Sequence, residues 1–278
     1  MIALLLALGS SLAYGCADFL GGLGARKAHV LRTVMVAAPA SLAVELLLWP
    51  LLGASFDPAA LGWGAASGVA SAAAFALLYK TLAIGPMNVL SPMTALVSAA
   101  LPVAVGLFQG EHLGVAGLLG LPLALVAVVL VSAGHGAGSA RPSRTALLLA
   151  CGAGAAIALQ LVCLHQAPAD SGVAPLVVGR AVSSVVTLTA AGLLRRRLGP
   201  ERPAYAVSAA AGVLDSLANA LFLLAARGGD LTVVAVVTAL YPAGTLLLAR
   251  GVLAERIHRG QVVGLGTAAL AVGLLALT

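Results

Sequence analysis

The sequence predicts an all-α integral membrane protein with ten transmembrane helices, and three observations support this fold class. Of the 278 residues, 61% are hydrophobic and 9% are charged, whereas a soluble domain of this size carries roughly 25% charged residues. Ten segments of about 20 residues are apolar enough to cross a hydrocarbon core about 30 Å thick. Every connection between these segments is short, so the chain leaves no room for a soluble catalytic domain.

Each predicted helix is an apolar segment that ends at basic residues or at Gly, Pro or Asn. The first segment, IALLLALGSSLAYG, lacks the basic leader of a secretory signal and is interpreted as a retained helix. The separations are narrowest at Gly85–Asn88 and Gly110–His112, where Gly, Pro and Asn favour a break over one very long helix. The predicted spans are 2–23, 31–52, 60–84, 88–108, 113–133, 145–165, 172–194, 204–226, 231–253 and 260–277.

Basic residues are concentrated in alternate loops. Thirteen of the fifteen Lys and Arg residues lie in or beside the odd-numbered loops, and the even-numbered loops hold only Arg227. The positive-inside rule then makes the odd loops cytoplasmic and puts both termini on the outer side of the inner (plasma) membrane. The net charge of +6 is therefore explained by the basic residues that orient the helices in the membrane, and we expect no nucleic-acid partner. The run LLRRRLGPERP (193–203) also suits membrane lipid with anionic head groups.

No metal, cofactor or nucleotide site is predicted. Cys16, Cys151 and Cys163 lie within predicted helices without CxxC spacing, and the five histidines lie at helix ends or in loops. Packed thiols are the simpler interpretation of these cysteines. The sequence has no G-x-x-x-x-G-K-[ST] phosphate-binding loop, so nucleotide hydrolysis is not expected.

The two halves of the chain are similar to each other. An offset of 144 residues aligns Thr94-Ala95-Leu96 with Thr238-Ala239-Leu240, Glu111 with Glu255, and Gly120 with Gly264. We interpret residues 1–138 and 139–278 as two five-helix repeats that together form one transmembrane unit. Because each repeat crosses the membrane an odd number of times, the second must be inverted relative to the first, as in many secondary transporters.

The repeated segments resemble the drug/metabolite transporter superfamily, in particular a ten-helix transporter of the EamA type. The resemblance covers nearly the whole chain and is strongest in LFQGEHL (107–113) and VLAERIH (252–258), each followed by a Gly in an apolar helix. Arg32 and Arg180 match near the start of the second helix of each half. In the first helix, LGSSLAYGCADFLG has Tyr-Gly where the family often has Trp-Gly, whereas CGAGAAIALQLVCLH departs from that pattern.

The resemblance implies movement of amino acids, drugs, sugars or other metabolites by proton exchange or by solute exchange. We predict a secondary transporter that exports a small organic metabolite, as a monomer or homodimer, and is not an enzyme. A membrane-embedded enzyme or helper subunit that acts on a lipid-soluble substrate is the alternative. Such an enzyme needs a nucleophile–base pair or a metal cluster, and the sequence has no HxxxH or paired acidic motif.

Ionisable residues inside predicted helices indicate the candidate site, because charges in the membrane are usually paired or face a wet cavity. Asp215 lies in the middle of helix eight, and Asn219 shares its face four residues later. We predict that Asp215 is the proton-coupling residue. The alternative is a structural ion pair, for example with Arg180.

Arg180 lies inside helix seven, and its planar fork of donors suits a substrate carboxylate or an internal acid. Ser183, Ser184 and Thr187 follow at helical spacing and predict one polar stripe on a cavity wall. The predicted substrate-binding residues are Asp18, Glu45, Arg180, Asn219 and Asp215.

The remaining charged or aromatic candidates have simpler alternatives. Asp18 shares a face of helix one with Tyr14, and Trp49 lies one turn beyond Glu45 on helix two. Trp49 is expected to anchor the outer interface, with an aromatic wall for the substrate as the alternative. Lys80 is expected to extend to the head groups.

Two further features suggest helix-end stabilisation and bending. Glu111 and Glu255 each precede a helix, where a carboxylate stabilises the positive end of the helix dipole, so both are predicted to be structural. Pro92, Pro102 and Pro242 predict that helices four and nine bend during transport.

Overall fold

The chain forms a bundle of α-helices, which a computed structural model describes for residues 1–84, 87–132, 143–194, 198–245, 248 and 258–277. Within these ranges there are ten α-helices, and the only β-type pairing is an isolated bridge. Seven helices are long and apolar enough to cross a membrane, and three apolar helices are shorter. The predicted all-α membrane fold is confirmed. The helices are α1 (Ile2–Lys27), α2 (Val30–Leu52), α3 (Pro58–Ile84), α4 (Met87–Phe108), α5 (Val115–Ser132), α6 (Arg144–Gln166), α7 (Ala174–Leu193), α8 (Tyr205–Gly228), α9 (Leu231–Thr238) and α10 (Arg259–Leu275).

Large apolar side chains cover the outside of the bundle. Leu118, Leu148, Val185 and Val262 are examples, each more than half exposed. A monomeric soluble protein rarely presents so much apolar surface to water. Lipid is the solvent that this surface fits, so the protein is a multi-pass membrane protein.

The ninth helix departs from the prediction of one span over 231–253. Helix α9 ends at Thr238, a turn follows at residues 239–240, and helical structure resumes over 241–245. Pro242 has no backbone N–H and cannot bond to the carbonyl of Thr238, so the α-helical ladder is interrupted there. Residues 246–253, apart from residue 248, lie outside the described residues.

Four helices surround the interior of the bundle. Helix α1 packs along α8 and also contacts α3. Helix α6 packs along α3 and also contacts α8. Helix α2 contacts α7 and α8, while α7 also contacts α3. Helix α4 lies against α6 and α9, and α5 packs along α10. Residues on α1, α3, α6 and α8 that point inward therefore face a common space.

Close packing of these helices depends on glycine. A Cβ at Gly68 on α3 would overlap the backbone of Gly179 on α7, and a Cβ at Gly212 on α8 would overlap the backbone of Ala37 on α2. Helices in lipid associate through such small residues, because the solvent around them is itself apolar. A larger side chain at either position would push the neighbouring helix away.

At one end of the bundle, the connections that follow α2 and α6 contact each other and the last turn of α8. Ala54 and Gly172 form the isolated antiparallel bridge. Gly172 has a φ of +56°, and a Cβ there would overlap the carbonyl of Gly53. Arg227, near the end of α8, donates to Ser171 Oγ at 3.2 Å. These contacts hold this end of the bundle closed.

Glu111 stabilises a helix end, but a different one from that predicted. Its carboxylate accepts hydrogen bonds from the backbone N–H groups of Leu231, at 2.6 Å, and Thr232, at 2.9 Å. These residues begin α9, whereas the prediction was the following helix, α5. The first turn of a helix has N–H groups without intrahelical partners, so a carboxylate satisfies them and stabilises the helix dipole. Glu255 lies outside the described residues.

Candidate functional site

A cavity lies inside the bundle between α1, α3, α4, α6, α8 and α9. Its free volume is about 30 Å³, which is room for about two water molecules. In this conformation it is too small for an organic solute. Its polar and aromatic lining residues are Tyr14, Asp18, Ser71, Phe75, Ser98, Gln160, Asp215, Thr238 and Tyr241.

One wall of the cavity is built around a buried ion pair between α7 and α8. The Nη2 atom of Arg180 donates to Asp215 Oδ2, and Nη1 of Arg180 donates to Ser71 Oγ at 2.7 Å. The guanidinium also lies over the ring of Phe75, with Cζ 5.3 Å from the ring centroid. The side chains of Arg180 and Asp215 are 3% and 13% exposed. Each contact compensates part of the cost of removing the guanidinium from water.

Two amide side chains extend this ion pair toward α6. Asn219 Nδ2 donates to the backbone carbonyl of Asp215 at 2.7 Å and to its Oδ2 at 3.2 Å. Gln160 Nε2, on α6, donates to Asn219 Oδ1 at 2.6 Å. Asp215 and Gln160 line the cavity, whereas Arg180 and Asn219 lie behind them and, together with Gln160, line a smaller void of about 10 Å³. We refer to Arg180, Asp215, Asn219 and Gln160 together as the paired wall.

Helix α1 brings a second carboxylate, Asp18, to the same cavity. Asp18 is 9% exposed and has no hydrogen bond or ion pair to any described residue. The buried hydroxyls of Tyr14, one turn earlier, and of Thr238, on α9, also have no partner among the described residues. Buried polar groups are nearly always hydrogen-bonded, so these three residues have bonding capacity that the described protein does not use. We refer to Asp18, Tyr14 and Thr238 as the unpartnered wall.

Glu45 lies behind the cavity. It is fully buried on α2, where its Oε1 accepts from Ser216 Oγ of α8 at 2.5 Å and its Oε2 has no partner in the described part of the chain. Glu45 is absent from the lining of both cavities. Trp49, one turn later, is 41% exposed and packs edge-on against Phe56 with ring centroids 5.0 Å apart.

The structure separates the predicted polar stripe on α7 from the cavity. Ser183, Ser184 and Thr187 are buried, as is Arg180, but of these four only Arg180 lines either cavity. Lys80 is exposed near the end of α3. The stripe therefore packs between helices. Helical spacing shows that these residues share one face of α7, but it does not show what that face contacts.

The sequence did not indicate that four further residues belong to the site: Gln160, Ser71, Phe75 and Tyr241. The available signal was Gln160, an amide within an apolar helix. The other three are too common in membrane helices to be noticed from sequence alone, and only the packing of α3, α6 and residues 241–245 brings them to the cavity. In the described residues no group of three potential metal ligands occurs.

A bundle of membrane-length helices around an interior cavity that two carboxylates reach defines a class of multi-pass membrane protein suited to solute transport. The model of the EamA-like transporter family matches residues 144–277. The chain belongs to this family, and with it to the drug/metabolite transporter superfamily. A search of curated proteins found no match.

A solved structure supports the fold over the whole chain. The structure, described as "Crystal structure of protein", superposes with a TM-score of 0.77 at 15% sequence identity. The match covers 99% of this chain and 96% of the other. At this level of identity the likeness shows the fold alone.

Proposed function

We propose that the protein is a secondary active transporter that exports a small organic metabolite, such as an amino acid or a drug-like solute, across the inner membrane. The observation that supports this most is the cavity at the centre of an EamA-like bundle. It is lined by Asp215, which is paired with Arg180, and by Asp18, a carboxylate without a partner among the described residues. Charged groups are costly inside a membrane protein and are usually found along substrate or ion pathways. An interior built only for packing would leave no such group without a partner.

Two inverted five-helix repeats, residues 1–138 and 139–278, form the bundle in this proposal. Pairs of glycines separated by the 144-residue offset support it. Gly68 and Gly212 both make close contacts with a helix of the other half, and so do Gly120, against α10, and Gly264, against α5. The contact of α1 with α8 likewise corresponds to that of α6 with α3. The boundary at residue 138 lies outside the described residues.

Asp215 couples proton movement to transport in this mechanism. As an anion it holds the guanidinium of Arg180, and when protonated it loses most of that attraction. Arg180 lies on α7 and Asp215 on α8, so a proton on Asp215 weakens the contact between two helices of the second half. A permanent ion pair is the structural alternative, and it would make transport independent of protonation at Asp215.

The substrate occupies the cavity between the paired wall and Asp18. Asp18, Asp215, Arg180 and Asn219 surround it, while Glu45 acts indirectly through Ser216, the neighbour of Asp215 on α8. Because ligand sites of about 300–1,000 Å³ are usual, the cavity must enlarge to admit a solute. Bending of α4 at Pro92 and Pro102, and at Pro242 after α9, would separate the helices that line it.

Both termini lie on the outer side in this proposal, and proton exchange or solute exchange supplies the energy. The closed end, where Ala54 pairs with Gly172, then faces outward. Release to the outside requires this bridge to open. The transporter works as a monomer or a homodimer.

The function is tested in proteoliposomes loaded with a pH-sensitive dye and challenged with amino acids, sugars and cationic drugs. The wild-type protein should move protons when its substrate is added, whereas Asp215→Asn should bind substrate without proton movement. Asp57→Asn is the matched control, because Asp57 caps α3 through the N–H groups of Ala59 and Ala60 and Asn caps a helix equally well. Proton movement by Asp215→Asn would exclude Asp215 from coupling, and no response to any solute would contradict transport.

A further inference from the structure

We propose that the cavity selects a monocationic amine, held by the carboxylate of Asp18 and by the aromatic rings around it. This inference rests on the transport function proposed above and specifies its substrate class.

Among the residues that the structure describes, the charges around the cavity do not balance. Two carboxylates, Asp18 and Asp215, line it, and Arg180 is paired with Asp215. Asp18 has no counter-charge among the described residues, although it is more than nine-tenths buried. A carboxylate in such a position is costly unless an opposite charge compensates it. A solute with one positive charge supplies that compensation.

The aromatic residues of the cavity favour the same charge. Tyr14, Phe75 and Tyr241 all line it, and aromatic rings attract cations that lie over their faces. Phe75 already contacts a cation in this way, since the guanidinium of Arg180 lies 5.3 Å from its centroid. An ammonium group beside Asp18 would therefore meet both an opposite charge and aromatic rings.

The same geometry disfavours an anion or an amino acid. A solute carboxylate would have to displace Asp215 from Arg180, whose Nη1 is also bonded to Ser71. A neutral solute would leave Asp18 without a counter-charge. The hydroxyls of Tyr14 and Thr238 have no partner among the described residues, so they can accept from an ammonium group. The best fit is an amine with an apolar or aromatic body.

Three probes of similar size and different charge test this inference: 2-phenylethylamine, 3-phenylpropanol and 3-phenylpropanoate. Binding to the purified full chain in detergent is measured by calorimetry at pH 7. The amine should bind at least about tenfold tighter than the alcohol or the carboxylate, a difference of about 1.4 kcal/mol. In Asp18→Asn the amine and the alcohol should bind within about threefold of each other, because the counter-charge is gone.

Two variants serve as controls, one that keeps the charge at residue 18 and one that removes an acidic side chain away from the cavity. Asp18→Glu keeps the charge and should keep the amine preference, and Asp57→Asn should bind like the wild type. If Asp18→Asn does not fold, the three probes on the wild type and on Asp18→Glu decide the question. The proposal is overturned if the wild type binds the alcohol or the carboxylate as tightly as the amine, if it binds no amine, or if folded Asp18→Asn keeps the preference.

Transport of the same probes into proteoliposomes separates this inference from the proposed function. Binding that depends on Asp18, without transport of any probe, supports the amine site and contradicts transport. Transport of all three probes without a preference for the amine supports the transporter and overturns the amine site.

Discussion

The two carboxylates of the cavity differ in what surrounds them. Asp215 belongs to the paired wall, where Arg180 and Asn219 satisfy it and Gln160 extends the hydrogen bonds to α6. Asp18 belongs to the unpartnered wall and has no bonded partner among the described residues. Depth in the membrane therefore does not by itself define the role of a carboxylate. We expect the ion pair of the paired wall to stabilise the bundle in this conformation, and we propose that the unpartnered wall binds the solute.

The largest expected effect follows from breaking the ion pair of the paired wall. Arg180→Met should lower the free energy of unfolding by about 3–5 kcal/mol, because it leaves Asp215 as an uncompensated buried charge. Thermal and denaturant unfolding in detergent measure this. The double variant Arg180→Met/Asp215→Asn should recover most of the loss. Equal stability of Arg180→Met and the wild type would show that the pair is not structural.

A smaller effect is expected where the paired wall reaches α6. Gln160→Leu removes the donor to Asn219 Oδ1, a bond of 2.6 Å in the structure. A buried acceptor left without a partner costs about 1–3 kcal/mol, so the free energy of unfolding should fall by that amount. Leu159→Ala is a useful control, because Leu159 is 49% exposed and points away from this network. A loss in Gln160→Leu no greater than in this control would contradict the assignment.

The smallest effect on stability is expected on the unpartnered wall. Tyr14→Phe removes a buried hydroxyl that has no partner among the described residues, so no hydrogen bond to the described protein is lost. The free energy of unfolding should change by less than about 0.5 kcal/mol or increase slightly. A loss of more than about 1 kcal/mol would show that this hydroxyl is bonded and that the contrast between the walls is wrong.

Features carried by a single helix were predictable from the sequence. Apolar segments of membrane length gave the helices, and the spacing of four placed Asn219 beside Asp215, where the structure has a hydrogen bond. One contact between helices was also suggested by the sequence, because charges inside a membrane are usually paired: Arg180 was the partner considered for Asp215, and the structure has that ion pair. One helix face can be deduced from a spacing because the helix geometry is regular.

Most other features that depend on contacts between helices were not predictable. Glu111 accepts hydrogen bonds from the first N–H groups of α9 rather than from those of the adjacent α5. The polar stripe on α7 is packed away from the cavity. In a chain with 61% hydrophobic residues, the helices have similar apolar faces, so many pairings of one helix with another are compatible with the sequence. Small residues such as Gly68 and Gly212 then decide which helices approach closely, and their partners are not visible in the sequence.

If the cavity belongs to a transport pathway, water-borne reagents should reach it inside the bundle. In a background where Cys16, Cys151 and Cys163 are replaced by Ala, Thr238→Cys places a thiol on the cavity and Leu118→Cys places one on the 62% exposed outer surface of α5. A cationic methanethiosulfonate should label the thiol at 238 at least about tenfold faster, since a thiol in lipid rarely forms the reactive thiolate. An excess of 2-phenylethylamine should slow that labelling. Labelling at 238 that is no faster than at 118 would contradict a water-accessible transport pathway.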